Sequence, residues 1–269
     1  MKALYYQGNK SFAIQEADTL PLQEGEVRLK VAYCGVCGTD VHIYHGNMDQ
    51  RVKVPQVIGH EVSAEIAEVG EGVTGWAVGD RVAVRPLQPG AEHPSDYGQN
   101  HIGKNLKFIG IDTAGGMQQY WNVPAHTLHR LPESLSLEIG ALIEPLAVAC
   151  HDIRLGELQP GESVVVIGGG PIGMLIALVA KHKGGRVLVS EVNQNRIALA
   201  ESLGLTAVNP RERDLVQAVE EFTEGAMADL VLEVSGVQAG VDVMTQLPRA
   251  RGRIVMVAIH AQPKSGDLF

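Results

Sequence analysis

The residues best suited to chemistry lie between Cys34 and Glu61. This stretch contains a Cys-x-x-Cys pair, which ends at Cys37, and a Gly-His-Glu run, which ends in His60 and Glu61. Sulfur, imidazole nitrogen and carboxylate oxygen are donors that a borderline-soft ion such as zinc prefers. The sequence therefore predicts a catalytic metal site in this stretch.

The Cys-x-x-Cys pair alone leaves two interpretations open. Without a second such pair it cannot complete a four-sulfur structural site, and beside a βαβ unit it could be a redox dithiol. The Gly-His-Glu run favours the metal, because it follows the apolar segment 52–58, a strand that could deliver His60 into the interior. A single histidine is more often a hydrogen-bonded core or surface residue, so the prediction depends on Cys37, His60 and Glu61 together.

Composition limits the class of protein. The chain has 269 residues and is 45% hydrophobic, which is enough for a substantial core and two domains. Its net charge of −9 and lack of a basic block argue against nucleic acid as a partner. Three cysteines are too few for a disulfide framework, and residues 1–4 begin a strand-like segment rather than a signal peptide. We therefore expect a protein of the reducing cytoplasm.

The first part of the chain is rich in short alternating β segments. They predict a barrel-like β domain with strands at 12–14, 26–31, 61–70, 78–84 and 115–123. The polar segment 86–107 has no periodicity and is predicted to be a loop. A mostly apolar helix is predicted at 138–152, within the passage to the next domain.

From Ser163 the pattern changes to strands that alternate with helices, which is typical of a parallel doubly wound sheet in an α/β protein. Gly168-Gly169-Gly170-Pro171 divides the uncharged run 163–180 into a strand and a helix, so we expect no membrane-spanning segment. The predicted strands are 164–167, 186–192, 229–234 and 253–259, and the predicted helices are 171–183, 195–203, 215–222 and 237–247.

The glycines Gly168, Gly170 and Gly173 have the spacing of a dinucleotide-binding turn and lie between a predicted strand and its helix. Glu191, at the end of the second strand, could accept both ribose hydroxyls and would repel a 2′-phosphate, which favours NAD over NADP. The turn could also be only a turn and Glu191 a solvated acid, but the strand, helix and acid together favour dinucleotide binding. The predicted cofactor-binding residues are Gly168, Gly170, Pro171, Ile172, Gly173, Glu191 and Arg196.

Several motifs, which span most of the chain, carry a resemblance to a known family. They are Cys34-Gly-Val-Cys37-Gly-Thr39-Asp40-Val-His42, Gly59-His60-Glu61 with Gly70 and Val73, Gly79-Asp80-Arg81-Val82, Glu144-Pro145-Leu146 and Gly168-Gly-Gly-Pro-Ile-Gly173. Together they resemble the zinc-dependent medium-chain dehydrogenase/reductase family, in its branch of sorbitol, L-threonine, butanediol and sugar-acid dehydrogenases. The resemblance implies a GroES-like β-barrel catalytic domain at 1–145, a Rossmann NAD-binding domain at 146–269, and a homo-oligomer, either a dimer or a tetramer.

The resemblance also implies roles for individual residues. The implied ligands of one catalytic zinc ion are Cys37, His60 and Glu61, with Glu144 either a fourth, alternating ligand or a partner of the zinc-bound water. Cys34 would be a buried neighbour, and Cys150 and His151 would be packing residues on the predicted helix. Tyr44 is equally consistent with a pocket residue and with a core residue.

The implied reaction is the oxidation of a small secondary alcohol, such as a polyol, a sugar acid or a hydroxy amino acid, to a ketone. Zinc would stabilise the alkoxide and NAD would accept the hydride. Thr39 resembles the hydroxyl that relays the alcohol's proton, by way of the cofactor ribose, to His42.

One departure from the family concerns the loop that often holds a structural zinc ion through four cysteines. The matching positions are Gly90, His93, Asp96 and Gly103, so we expect that site to be absent. His93, Asp96 and His101 could hold a replacement metal, but a solvated loop is the favoured interpretation.

A second departure is that the chain ends at Phe269, just after the fifth predicted strand of the sheet. Family members usually continue, so we expect either a fragment or a natural short form. Two other functions stay open: an NAD-binding regulatory or inactive homologue, and a zinc-free quinone reductase of the same fold.

Overall fold

The computed structural model describes residues 1–260 and 263–266. The chain divides into two compact units, Met1–Glu144 and Pro145–Phe269. Phe269, where the second predicted domain ends, lies outside the described residues. The division into domains at 145/146 stays a prediction.

The first unit is built on antiparallel strands. A five-stranded sheet has the order β10-β6-β5-β3-β9, and a three-stranded sheet has the order β2-β1-β4. Buried residues such as Leu29, Ile66 and Trp121 pack into its core. The strands are β1 (Lys2–Gly8), β2 (Ser11–Glu16), β3 (Glu26–Gly35), β4 (Gln56–Val57), β5 (Glu61–Val69), β6 (Arg81–Val84), β7 (Leu87–Gln88), β8 (Lys107–Phe108), β9 (Tyr120–Pro124) and β10 (Leu128–Arg130).

Three predicted elements of this unit differ from the structure. The predicted strand at 52–58 is reduced to β4, because Pro55 has no N–H for a β ladder. The predicted strand at 115–123 is only β9. The predicted helix at 138–152 is two helices, α2 (Leu137–Gly140) and α3 (Ile143–Leu155). An unpredicted helix, α1 (Gly38–Tyr44), follows β3.

The second unit is a five-stranded parallel sheet with the order β13-β12-β11-β14-β15. This arrangement confirms the predicted α/β, doubly wound sheet. Its strands are β11 (Ser163–Ile167), β12 (Arg186–Ser190), β13 (Thr206–Val208), β14 (Ala228–Glu233) and β15 (Pro248–Met256), and its further helices are α4 (Pro171–His182), α5 (Gln194–Ser202), α6 (Leu215–Phe222) and α7 (Gln238–Met244).

Strand order places the reversal of the sheet between β11 and β14. In open parallel sheets, ligands bind outside the carboxyl ends of the strands at such a point. Two buried apolar clusters include residues of the sheet and of its helices, such as Ile176 of α4 in one and Val219 of α6 in the other. Within the described ranges, no helix has the length and apolar composition of a membrane span.

Candidate active site

Three of the predicted metal ligands lie together in the first unit. The Cys37 sulfur, one ring nitrogen of His60 and one carboxylate oxygen of Glu61 all lie within 4.8 Å of one another. Cys37 is half-buried, whereas His60 and Glu61 are buried, with 3% and 8% exposure. The described part of the chain contains no second group of this kind.

Two glycines make room for this cluster. Gly35, the last residue of β3, pairs with Glu61, the first residue of β5. A Cβ atom on Gly35 would lie 2.2 Å from the Glu61 Oε2 atom, so only glycine leaves space for that carboxylate. Gly59 has a φ of +96°, and a Cβ there would lie 2.6 Å from both the Cys34 Sγ and the Met117 Cγ atoms. The backbone thus turns sharply just before His60.

His60 is held as a neutral imidazole. Burial lowers the pKa of its ring to about 4, and the ring lies edge-on to Phe108, with 5.1 Å between the centroids. Its buried Nδ1 atom has no hydrogen-bond partner among the described residues. A neutral ring with an unsatisfied buried nitrogen is the form in which histidine binds a metal, so this side chain fits a zinc ion.

The other two members of the cluster lack positive charge around them. Burial, followed by the negative charge of Asp40, raises the pKa of Glu61, although a hydrogen bond with Cys37 partly offsets this. Burial also raises the pKa of the Cys37 thiol, against hydrogen bonds from the backbone and hydroxyl of Thr39. A cation would reverse both shifts, so the donor set as a whole fits zinc.

Glu144, the second residue of α3, approaches the cluster without joining it. Burial, with the charge of Glu61 as the second cause, raises the pKa of Glu144 to about 7. Its carboxylate is not within the group of atoms that lie inside 4.8 Å. Both predicted roles, as a ligand and as a partner of a bound water, stay predictions.

Helix α1 carries the residues of the predicted proton relay. Cys37 is its N-cap residue, and the Cys37 N–H donates to the Asp40 carboxylate over 2.9 Å. Thr39 lies beside the Cys37 thiol, and His42 lies one turn further along. The Asn47 Nδ2 atom is 3.2 Å from the His42 Nδ1 atom.

Asp40 and Asn47 are contacts of these residues to which the sequence motifs assign no role. The spacing of Cys37 and Asp40, three residues apart at a helix start, is a capping-box spacing that could have indicated the first. No local pattern pointed to Asn47.

The other candidates lie outside this group of ligand atoms, although Cys34 lies beside it, close enough for the Glu61 charge to affect its pKa. Cys34 is half-buried, and burial raises the pKa of its thiol to about 12. Tyr44 is 38% exposed and stacks on Phe12, with 5.7 Å between the centroids. The predicted packing role of Cys150 is wrong, because Cys150 is exposed while its neighbours Ala149 and Ile153 face the core. His151 is half-buried.

The loop at 86–107 does not assemble His93, Asp96 and His101 into a group of metal ligands. The Asp96 carboxylate instead accepts the backbone N–H groups of His93 and Lys104, over 2.9 and 3.0 Å. The His93 Nδ1 atom lies 2.8 Å from the Ser95 hydroxyl. These contacts order the loop from within.

The glycine-rich turn joins β11 to α4 in the second unit. Gly168 has a φ of +105°, and a Cβ on Gly173 would lie 1.8 Å from the Gly168 carbonyl oxygen. Gly170 is the N-cap residue of α4, and Pro171 begins the helix. The turn therefore leaves the N-terminal N–H groups of a twelve-residue helix available to a phosphate.

Glu191 is buried directly after β12 and already has partners. Its carboxylate accepts the N–H groups of Gly169, Val192 and Asn193 over 3.0, 2.7 and 2.9 Å, and it lies 3.4 Å from the Arg196 Nη1 atom. Burial would raise the pKa of Glu191, but the backbone donors and Arg196 outweigh it and lower the pKa. The acid is therefore anionic in this position.

A cavity of about 330 Å³ opens at this edge of the sheet. Its walls include Gly168, Gly170, Glu191, Arg196 and Ser235. The other predicted cofactor residues do not line it: Gly173 is buried against Gly168, Ile172 packs on the core, and Pro171 is exposed.

Comparison with known families matches both units. The model of the alcohol dehydrogenase GroES-like domain matches residues 23–133, and the model of the zinc-binding dehydrogenase family matches residues 171–269.

Individual relatives agree with these matches. The chain is 54% identical over 270 residues to the 2-dehydro-3-deoxy-L-galactonate 5-dehydrogenase of Pseudoalteromonas atlantica, which covers 100% of this chain and 79% of that protein. It is 36% identical to the sorbitol dehydrogenase of Halalkalibacterium halodurans, over 98% of this chain and 78% of that one. The crystal structure of 2R,3R-butanediol dehydrogenase from Bacillus subtilis is similar with a TM-score of 0.90 and 33% identity, and covers 99% and 79% of the two chains.

These findings confirm the predicted fold, a GroES-like domain with a Rossmann-type parallel sheet, and the predicted class of reaction. The protein is a secondary-alcohol oxidoreductase, and the zinc-binding dehydrogenase family that its second unit matches supports zinc and a nicotinamide cofactor. The chain belongs to the zinc-dependent medium-chain dehydrogenase/reductase family.

Proposed function

We propose that this protein oxidises the secondary hydroxyl at carbon 5 of 2-dehydro-3-deoxy-L-galactonate, or of a closely similar sugar acid, with NAD as the hydride acceptor. One zinc ion per chain would be held by Cys37, His60 and Glu61. The observation that carries the chemistry is the buried group of thiol, imidazole and carboxylate within 4.8 Å.

In the proposed reaction the metal acts as a Lewis acid, and residues of helix α1 transfer the proton. Zinc, when bound, supplies a Lewis acid that favours the deprotonated form of an alcohol. In the proposed relay, Thr39, whose hydroxyl lies beside the Cys37 thiol, receives the alcohol's proton. His42, on the same face of α1, then accepts the proton, and the Asn47 amide orients the His42 ring.

The sugar-acid substrate is supported by the Pseudoalteromonas relative, because the identity of 54% extends over the whole of this chain. The sorbitol and butanediol dehydrogenases are less similar, at 36% and 33% identity. A polyol or hydroxy amino acid is therefore the second choice.

The preference for NAD is supported by the charge on Glu191. An anionic carboxylate in the cavity accepts ribose hydroxyls and repels a 2′-phosphate. A similar structure contains NADP instead. It is that of a zinc-binding dehydrogenase from Sinorhizobium meliloti bound to NADP, which is 30% identical to this chain with a TM-score of 0.94, over 99% of this chain and 79% of that one. Arg196, half-exposed beside Glu191, is the residue here that would favour NADP.

We further propose that the protein works in the cytoplasm as a dimer or tetramer. Its three free cysteines are consistent with a reducing compartment. The edge strand β15 carries the exposed apolar residues Ile254 and Met256, which supports association between copies.

The test combines metal content with turnover. We expect one zinc per chain by mass spectrometry, and NADH formation that is fastest with 2-dehydro-3-deoxy-L-galactonate among a panel that includes sorbitol, L-threonine and butanediol. Cys37→Ser should lose the zinc and reduce turnover by at least about a hundredfold, since a ligand is removed. Cys34→Ser should keep both.

Each alternative function predicts a different result. Loss of activity in both cysteine variants, without loss of metal, would support a redox dithiol. Full activity of Cys37→Ser without zinc would indicate a quinone reductase. NAD binding without turnover on any alcohol would indicate a regulatory or inactive homologue.

A further inference from the structure

The fully buried carboxylate of Glu233 lies at the end of β14 and organises the turn that follows. Its Oε1 atom accepts the N–H groups of Ser235 and Gly236, over 2.9 and 3.0 Å, and the Ser235 hydroxyl over 2.5 Å. Gly236 has a φ of +67°. One oxygen of Glu233 therefore determines the shape of the Ser235–Gly236 turn.

The second oxygen of Glu233 faces a histidine from another segment. The Glu233 Oε2 atom lies 3.4 Å from the His260 Nε2 atom, and neither atom has a hydrogen-bond partner within residues 1–260 and 263–266. The backbone carbonyl of Glu233 also accepts the N–H groups of Val257 and Ala258, over 2.9 and 3.1 Å. Glu233 thus connects the turn after β14 to the segment after β15.

This turn forms one wall of the cavity. Ser235 and Val237 line it, and a Cβ on Gly168 would lie 3.0 Å from the Ser235 Cα atom. In the sheet order β12-β11-β14, Glu191 follows β12, Gly168 follows β11 and Ser235 follows β14. Because the carboxyl ends of parallel strands share one edge, Glu191 and Ser235 flank the glycine turn on opposite sides.

We propose that Glu233 and His260 form a positioning pair for the nicotinamide half of the cofactor. The inference rests on the proposed function. A dinucleotide binds across the reversal of the strand order with one half on each side of the glycine turn, and the acid after β12 takes the adenosine ribose. The other half then meets the Ser235 side, whose shape Glu233 fixes and His260 supports.

The pair matters because Glu233 is inside the protein. Removal of the imidazole takes away the 3.4 Å contact at the Glu233 Oε2 atom, which has no hydrogen bond within residues 1–260 and 263–266 to replace it. A buried carboxylate oxygen without compensation is costly. Water must then reach this oxygen, and its entry loosens the hold of the carboxylate on Ser235 and Gly236. The wall that faces the nicotinamide half is lost, while the wall at Glu191 is unchanged.

The experiment measures equilibrium binding of two probes, NADH and AMP, by fluorescence titration and by competition. AMP carries only the adenosine half. For His260→Ala we expect NADH to bind roughly tenfold more weakly, because the 3.4 Å polar contact that supports the Glu233 side of the cavity is lost, and AMP to bind as in the wild type. His260→Gln, which keeps an N–H donor, should recover part of the loss.

The matched control is His182→Ala, at the exposed end of α4 in the same unit. It should bind both probes normally, and thermal unfolding checks the fold of each variant. Unchanged NADH affinity in His260→Ala would overturn the inference, as would an equal loss for NADH and AMP. Failure of the wild type to bind NADH would overturn the proposed function itself.

Discussion

The metal-ligand group and the nucleotide cavity each bury an acid to a similar extent, but the pKa of that acid is shifted in opposite directions. Glu61 is 8% exposed and Glu191 is 5% exposed. The pKa of Glu61 is raised, first by burial and then by the charge of Asp40. The pKa of Glu191 is lowered, because backbone N–H groups and Arg196 outweigh its burial.

This difference in pKa shift shows in which site the protein itself compensates the charge of the buried acid. Glu191 obtains its compensation from the chain, so the glycine turn and the loop after β12 hold their shape without a ligand. The cluster of Cys37, His60 and Glu61 has a surplus of donors and lacks a positive charge. We infer that the metal cluster needs its ion as part of the fold, whereas the nucleotide cavity is preformed.

The largest effect should come from removal of the metal. We compare protein in free zinc at about a thousand times the Kd for zinc with protein from which zinc has been chelated. Chelation should lower the free energy of unfolding by about 4 kcal/mol, because bound zinc stabilises the folded state by mass action. Thermal or urea unfolding with and without chelator measures this difference.

Glu61→Gln provides the control. In the metal-free state it should be at least as stable as the wild type, because the amide removes a buried charge beside Asp40. Its response to zinc should be much smaller. If metal-free Glu61→Gln were clearly less stable than metal-free wild type, the carboxylate would be compensated by the chain and the contrast with Glu191 would fail.

Replacement of Glu191 should have the next largest effect. Glu191→Ala leaves the N–H groups of Gly169, Val192 and Asn193 without their acceptor, so we expect a loss of about 1–3 kcal/mol of unfolding free energy. NAD should bind more weakly and discrimination against NADP should relax, since both the ribose acceptor and the repulsion are removed.

Glu201→Ala, at an exposed position at the end of the neighbouring helix α5, is the matched control and should change neither property. Unfolding curves and the Kd values of NAD and NADP give the comparison. A Glu191→Ala protein with normal stability would show that the turn is held by other contacts. Unchanged cofactor preference would remove Glu191 from the discrimination.

The sequence predicted those features whose signal is local. The glycine spacing between a strand and a helix is enough to predict the turn at Gly168, because only glycine permits its φ and the close approach of Gly173. Alternation of strands and helices likewise predicted the parallel sheet. The group of Cys37, His60 and Glu61 was suggested by Gly-His-Glu and Cys-x-x-Cys, because these are compact motifs of residues that can bind a metal. Their role as zinc ligands stays a prediction.

Other features depend on contacts that no short pattern records. Helix α1 was missed because Asp40, an acid in a predicted active-site stretch, serves to cap a helix. The pair of Glu233 and His260 joins two strand ends that are far apart in the chain. Glu191 was predicted as a ribose acceptor, but its three backbone donors come from the path of the folded loop.

The smallest expected effect is a pH dependence, and it separates the two sites by sign. The pKa of Glu144 is raised from 4.5 to about 7 in the folded, metal-free protein, by burial and then by the charge of Glu61. Below pH 4.5 the carboxyl is neutral in both folded and unfolded states, so it has no effect. As the pH rises towards 7, only the unfolded state ionises, and the free energy of unfolding should fall. The full pKa difference corresponds to about 3 kcal/mol, and solvent screening of the half-buried Glu144 carboxyl reduces the expected fall to about 1–2 kcal/mol. For Glu191, with its lowered pKa, stability is instead lost as the pH falls.

Glu144→Gln should flatten the fall between pH 4.5 and 7, and zinc should reduce it in the wild type, because the ion balances the charge of Glu61 that contributes to the shift. Glu138→Gln, at an exposed position on α2, should leave the slope unchanged. Urea unfolding of metal-free protein across this pH range measures all three proteins. A slope that persists unchanged in Glu144→Gln would assign the titration to other carboxyls with raised pKa values, such as Asp152, whose pKa burial raises to about 6. The negative charge of Glu61 would then have no measurable effect on Glu144.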